Sequence, residues 1–168
     1  SVTLSLNATS AGPYTNGSVN VPVLSFQYVN SFGSNIRTLI VTNTGTLAAA
    51  QISNVMFRTD TAPLGQYNGE AAIATLLTTA GRWQNTALSR PSGGNYLITA
   101  NFRLNTTNGK WFKARVASNG ARSATPVGNL LQYNSASSQR VTNLAPVVTG
   151  LTSDVAPTVT TIPVRWNR

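Results

Sequence analysis

The 168-residue chain contains no histidine, no cysteine and only three carboxylates, which are Asp60, Glu70 and Asp154. General bases that work near neutral pH are usually histidines or tuned carboxylates, and a nucleophile needs such a base beside it. Metal sites draw on the same residue types. We therefore expect a non-enzymatic protein with no catalytic residues, no metal and no cofactor.

The lack of cysteine also excludes disulfides, so stability has to come from burial, turns and oligomerisation. The longest run without charge near the middle of the chain, residues 38–57, is interrupted by Asn43, Gly45, Gln51 and Asn54, which argues against a transmembrane segment. The first residue is serine, which fits either removal of a signal peptide or excision of an initiator methionine. Both possibilities stay open.

Charged residues make up 9% of the chain, far below the usual quarter, while 41% of the residues are hydrophobic. That hydrophobic content suffices for one core, so we expect a single domain over residues 1–168. Its surface should be polar but largely uncharged. Such composition is common in extracellular proteins and in repetitive assemblies.

Hydrophobic and polar residues alternate with a period of two along most of the chain, which is typical of strands with one buried face. The pattern predicts strands over residues 2–6, 19–29, 36–42, 47–57, 96–104, 111–116, 127–133, 141–151 and 159–166. Pro22 cannot donate to a ladder, so it favours an edge strand or a bulge. Eight or nine strands predict an all-β, two-sheet β-sandwich of jelly-roll or immunoglobulin-like type.

One short helix is predicted near residues 69–79. Asn68 can cap it, Glu70 lies in its first turn, and one face carries Ile73, Leu76 and Leu77. In this interpretation Glu70 is an acid that complements the helix dipole and Asp154 is a turn residue, which we favour over an acid pair with chemical work to do.

Asn108-Gly109 lies between two predicted strands and predicts a β-hairpin. A two-residue loop would put apolar and basic side chains on one face, so we expect a three-residue loop with a bulge. That register buries three cross-strand pairs, which are Phe102 with Val116, Leu104 with Ala114, and Thr106 with Phe112. The opposite face then carries a predicted basic stripe of Arg103, Lys113 and Arg115, with Trp111 at its end.

The segment from Leu39 to Ala50 reads LIVTNTGTLAAA, an alternating strand followed by an Asn-x-Gly turn and small residues. It resembles the strand-turn-strand core of immunoglobulin-like modules in bacterial and archaeal surface proteins. The resemblance implies a sandwich domain in an adhesive or scaffolding setting. A viral jelly-roll would tolerate the same segment.

The formal net charge of +9 would attract nucleic acid or an anionic membrane. The basic stripe is the best local candidate for such a contact, because cations bind phosphates and an aromatic ring stacks on bases. The alternative is an ordinary exposed sheet face, where basic residues discourage edge association.

Aromatic residues suggest a second kind of site. Three tryptophans and three tyrosines near loops would form a platform for stacking a glycan, and they are Trp83, Trp111, Trp166, Tyr14, Tyr67 and Tyr133. Aromatics in a small β-domain also serve as core residues. Sequons at Asn7, Asn16 and Asn105 occur about as often as chance allows in so Asn-rich a chain.

Together these features predict a self-assembling structural subunit located in a virion or at a cell surface. A virion coat or decoration protein is preferred over a filament subunit, because packaged nucleic acid would account for the positive charge. Both ends carry alternating segments that can add a strand to a neighbouring copy, with Val2, Leu4 and Leu6 at one end and Ile162, Val164 and Trp166 at the other. Arg165 is the one charged residue in these two segments. A carbohydrate-binding or adhesion module and a non-specific nucleic-acid binder are the alternatives.

Overall fold

The computed structural model describes residues 1–125 and 127–143. These residues form twelve strands, which are β1 (Val2–Asn7), β2 (Val21–Asn30), β3 (Ile36–Asn43), β4 (Ile52–Thr59), β5 (Ala72–Thr79), β6 (Arg82–Asn85), β7 (Asn95–Phe102), β8 (Trp111–Phe112), β9 (Ala114–Val116), β10 (Ala121–Ser123), β11 (Tyr133–Asn134) and β12 (Gln139–Arg140). In these ranges the one helical element is a 3-10 turn, Ala49–Gln51. The all-β prediction is confirmed.

Ten of these strands belong to one antiparallel sheet. Its order is β1-β2-β7-β4-β5-β6-β3-β9-β11, and β10 also pairs with β3, while β12 and β8 form a small separate ladder. An isolated bridge joins Val2 of β1 to Asn129, which follows β10 in the chain. The two ends of the sheet therefore meet, and the sheet is nearly closed.

Strand β3 has neighbours on both edges. One edge pairs with β6 from Leu39 to Thr42, and the other pairs with β9 at Thr42 and Asn43 and with β10 from Leu39 to Ile36. Strands β9 and β10 are thus two parts of one path along β3, separated by an excursion of the backbone at residues 117–120.

The core lies inside this sheet and fills it with aromatic and branched side chains. Phe57 stacks on Tyr96 with ring centres 5.0 Å apart, and Trp83 meets Phe112 at 5.4 Å. Strand β2 is buried almost throughout, because β1 and β7 flank it and other segments cover its second face. Gln139 is one of those covers, since its side-chain amide donates to the carbonyl of Pro22 at 2.6 Å.

Pro22 lies at a bulge, one of its two predicted settings. The register of β2 against β7 shifts between Pro22 and Leu24, so that Val23 is the extra residue. Strand β1 pairs with β2 only from Ser25 to Asn30, so Pro22 lies at a bulge and also beyond the part of β2 that β1 covers. Both settings accommodate its missing N–H.

The helix predicted near residues 69–79 is wrong, because residues 72–79 form strand β5. This strand pairs with β4 on one side and with β6 on the other, and it buries Leu76 while Leu77 points outward. A helical face would need both Leu76 and Leu77 to be buried, and only Leu76 is. Its three threonines are β-branched and favour the extended backbone.

The hairpin predicted around Asn108-Gly109 is also wrong. Strand β7 pairs with β2 and β4, whereas β8 pairs with β12 and β9 pairs with β3 and β11. The predicted burial mostly holds even so: Phe102, Thr106, Phe112, Ala114 and Val116 are buried, but Leu104 is 79% exposed. Alternation identified the inward face without identifying the partner strand.

Two other predicted strands differ from the structure. The strand predicted at 47–57 begins only at Ile52, after the 3-10 turn, and the one predicted at 127–133 is reduced to β11. Val141 forms an isolated bridge with Tyr14. The rest of the strand predicted at 141–151, and the one at 159–166 with Ile162, Val164 and Trp166, lie outside the described residues.

The neighbours Leu76 and Leu77 provide a test of β5 as a strand. Leu76 is 1% exposed and Leu77 is 66% exposed. Leu76→Ala should lower the free energy of unfolding by roughly 2–5 kcal/mol through the lost burial and the cavity, and Leu77→Ala should change it by less than about 0.5 kcal/mol. Urea denaturation measures both. Equal losses from the two variants would contradict the strand.

Candidate functional site

A row of polar side chains crosses the outer face of the sheet where β5, β6, β3, β9 and β11 lie side by side. The residues in register along it are Thr79, Arg82, Thr42, Arg115 and Asn134. Directly paired residues of antiparallel strands point to the same face. Arg82 and Arg115 therefore flank Thr42 from opposite sides, two strand spacings or about 10 Å apart at their Cα atoms.

A third arginine joins them to line a pocket of about 300 Å³, which we call the arginine pocket. Arg122 is paired with Thr38, and Thr38 lies on the same face of β3 as Thr42. The pocket is lined by Arg82, Arg115 and Arg122, by Ile40 and Thr42 of β3, and by the loop residues Ala117, Ser118, Asn119 and Gly120.

Two of the guanidinium groups are oriented by hydrogen bonds. Arg115 donates from Nε to Oγ1 of Thr42 at 3.3 Å, and Arg122 donates from Nε to the carbonyl of Asn119 at 2.8 Å. A guanidinium carries five N–H donors. Each of these groups therefore keeps most of its donor capacity for an anion in the pocket.

The loop at the rim of the pocket is held by Asn129, which is fully buried. The side-chain oxygen of Asn129 accepts from the N–H of Ala121 at 2.7 Å, and its amide donates to the carbonyls of Ala117 at 2.8 Å and Leu131 at 2.6 Å. Asn119 has a positive φ of 58°, which asparagine tolerates better than most residues. The rim is thus set by hydrogen bonds before any ligand arrives.

The predicted basic stripe is only partly brought together. Lys113 and Arg115 are two residues apart and alternate with buried neighbours, as does Trp111, so the three belong to the outer face. Arg103 does not join them. It follows the end of β7, its backbone N–H donates to Gln51 at 2.8 Å, and it borders a separate open groove with Gly17 and Leu104.

Sequence reasoning missed Arg82, Arg122 and Arg140, which complete this basic face. No strand is predicted from the sequence at Arg82, because the segment before it fits a helix. The two-residue turn Ala80-Gly81, with φ values of 49° and 76°, connects β5 to β6 directly. Such turns need positive φ at both positions, and alanine at the first is an uncommon choice that hides the signal.

The predicted glycan platform is not assembled among the described residues. Trp83 is buried against Phe112, and the guanidinium of Arg140 lies 5.1 Å from the ring centre of Trp111. Tyr67 has Arg58 at 4.8 Å from its ring centre. Tyr14 and Tyr133 are half-buried against the core, and Trp166 is outside the described residues.

Asp60 is 5% exposed and works as an internal hydrogen-bond acceptor. The hydroxyl of Ser25 donates to it, and the N–H of Gly65 donates to its Oδ2 at 3.0 Å. Gly65 has a φ of 79° and lies so close to the carbonyl of Ala8 that a Cβ would not fit. Asp60 therefore anchors the 60–70 loop to the sheet.

Glu70 holds the other end of this loop rather than a helix. Its carboxylate accepts from Oγ1 of Thr61 at 2.6 Å and from the N–H of Asn68 at 2.8 Å. Burial alone would raise the pKa of Glu70, but these hydrogen bonds outweigh it and hold the pKa below its ordinary value. Asp154, the other member of the pair considered from the sequence, lies outside the described residues.

A second candidate surface is the outer edge of β1. All six residues of β1 pair with β2 of the same chain, and Val2 and Leu4 are buried while Leu6 packs against the core. On its other edge, within the described residues, β1 has the single bridge from Val2 to Asn129. This edge carries no charged side chain and no proline.

Within residues 1–125 and 127–143, no group of three or more acidic residues is placed to hold a metal ion. No helix in the same ranges is long and apolar enough to cross a membrane.

Comparison of the chain with known proteins found no matching family, no matching curated protein and no matching solved structure.

The pH dependence of stability should report on Asp60. Burial raises its pKa above the ordinary 3.8, and the hydrogen bonds from Ser25 and Gly65 offset only part of the rise. The folded state thus keeps this proton more firmly than the unfolded chain. The stabilisation is complete below the ordinary pKa and is lost as pH rises through the raised one. In Asp60→Asn this term is absent, so the unfolding free energy of wild type minus that of the variant should fall as pH rises.

Glu70→Gln is the matched variant for this test. The pKa of Glu70 is lowered from 4.5, so its stabilisation is present above that value and is lost as pH falls through the folded-state pKa. The unfolding free energy of wild type minus that of Glu70→Gln should therefore rise with pH. Chemical denaturation from about pH 3 to about pH 6 measures both. A difference for Asp60→Asn that is flat or rising would contradict the assignment.

Proposed function

We propose that this protein is a non-enzymatic structural subunit that assembles with copies of itself. A virion coat or decoration protein is preferred over a surface-filament subunit. The observation that carries the proposal is the uncharged, almost unpaired outer edge of β1 in the described part of the chain.

Sheet edges are normally protected against pairing with other chains. Proteins place lysine or proline on the edge, twist it with a bulge or cover it. Strand β1 has the sequence VTLSLN and pairs with β2 without a register shift. It offers a regular template of backbone N–H and C=O groups, and two copies placed antiparallel across a two-fold axis would be self-complementary.

An apolar patch adjoins this edge. Leu130 is 81% exposed and Leu131 is 67% exposed. They directly follow Asn129, whose hydrogen bonds fix the loop and whose backbone bridges to Val2. Rigidly held, exposed leucines beside an open edge favour an interface, because burying them removes apolar surface from water.

The strand order also supports a more specific fold class. The sheet folds over at β5, which pairs with β4 in one half and with β6 in the other. Trp83 from one half packs against Phe112 within the core. We infer a flattened sandwich of jelly-roll or immunoglobulin-like type, in a virion or at a cell surface, where positive charge meets packaged nucleic acid or an anionic surface.

Charges placed on β1 should disrupt assembly. Thr3→Lys with Ser5→Lys puts two cations on exposed positions of the edge strand, and repulsion between copies should leave a monomer. The control is Asn54→Lys with Thr86→Lys, which adds the same charge at exposed positions of β4 and just beyond β6. Light scattering across concentration, with negative-stain imaging, measures the mass of each protein.

The wild type and the control should form a stable oligomer, a closed shell or a filament. A wild-type protein that stays monomeric at every concentration would refute assembly. A wild-type oligomer that survives both lysines would leave assembly intact and refute the role of the β1 edge.

A further inference from the structure

We propose that the arginine pocket binds the phosphate groups of a single-stranded nucleic acid. The site lies within one chain, so a monomer would carry it as fully as an assembly would.

The pocket concentrates positive charge without a balancing acid. Arg82, Arg115 and Arg122 line it, and none of its lining residues is a carboxylate. The two carboxylates of the described ranges, Asp60 and Glu70, are engaged in the 60–70 loop. Guanidinium groups match the oxygens of phosphate with paired N–H donors. The geometry therefore favours an oxyanion as the ligand.

The charge continues beyond the pocket along the strand path, which points to a chain of anions rather than one ion. Arg122 and Arg115 are paired with Thr38 and Thr42, so they lie four residues or roughly 13 Å apart along β3. Lys113 follows roughly 7 Å further on. Arg140 is paired with Trp111 in the next ladder.

The far end of this line provides a stacking surface. Arg140 lies over the ring of Trp111, and its Nη1 donates to the carbonyl of Gly109 at 2.8 Å, which holds the guanidinium in place. Guanidinium planes and aromatic rings both stack on unpaired bases. A sulfated sugar can stack on an aromatic ring but has no planar π face for a guanidinium, so the Arg140–Trp111 pair favours single-stranded nucleic acid.

Fluorescence anisotropy of a short labelled oligouridylate, measured over a range of salt concentrations, tests the proposal. Arg82→Gln, Arg115→Gln and Arg122→Gln together should weaken binding about tenfold or more at low salt. They should also reduce the slope of log affinity against log salt by about two, since each phosphate contact on a single strand contributes about 0.7.

The control is Arg37→Gln, Arg90→Gln and Arg103→Gln, which removes the same charge away from the pocket. It should cost less than about threefold and leave the slope unchanged. Thermal unfolding shows whether each variant is folded. Equal losses from the two triple variants would overturn the proposal, because net charge alone would then explain binding.

Two further results distinguish nucleic-acid binding within one chain from polysaccharide binding and from a site that only an assembly completes. A heparin fragment of equal charge is compared with the oligouridylate. If heparin binds more tightly and the pocket variant loses that binding, the choice of nucleic acid is overturned. Thr3→Lys with Ser5→Lys should retain full affinity for the oligouridylate even if it no longer assembles. Loss of binding in that variant would overturn a site that is complete within one chain.

Discussion

Pairing on both edges of β3 organises much of this molecule. Because β6 takes one edge and the β9–β10 path takes the other, arginines from three separate stretches of chain arrive on the same outer face. The same pairing turns Leu39 and Val41 into the core, where they are fully buried. Core and basic face are therefore two sides of one set of backbone hydrogen bonds.

Hydrogen bonds to polar side chains hold the loops, which strand pairing alone does not fix. Asn129 fixes the rim of the arginine pocket and the leucines beside β1, while Asp60 and Glu70 tie down the 60–70 loop. Buried polar groups are stable only when their hydrogen bonds are made, and the buried Asn129 and Asp60 each make several. In the part of the chain that the structure describes, these loops are thus positioned by hydrogen bonds to amides and carboxylates, and the sequence has no cysteine for disulfides.

Strands with clear alternation could be predicted from the sequence, and β1, β2, β3 and β7 end within about two residues of their expected bounds. The strand β5 could not, because Leu76-Leu77 fits a helical face as well as a sheet. Partner choice also escaped prediction. Asn108-Gly109 indicates a turn, but nothing local shows that the strands beside it pair elsewhere. Alternation within one segment places Lys113 and Arg115 on one face. Arg103 was placed beside them through the predicted hairpin, which does not form.

The bridge between Val2 and Asn129 has a consequence for how the chain reaches its native state. Val2 is synthesised long before Asn129, so this contact cannot form until the chain between them has been made. Contacts so distant in sequence slow folding, and a nascent edge without charge is vulnerable to association while it waits. The time for which the β1 edge waits for Asn129 during synthesis therefore adds to its exposure to association.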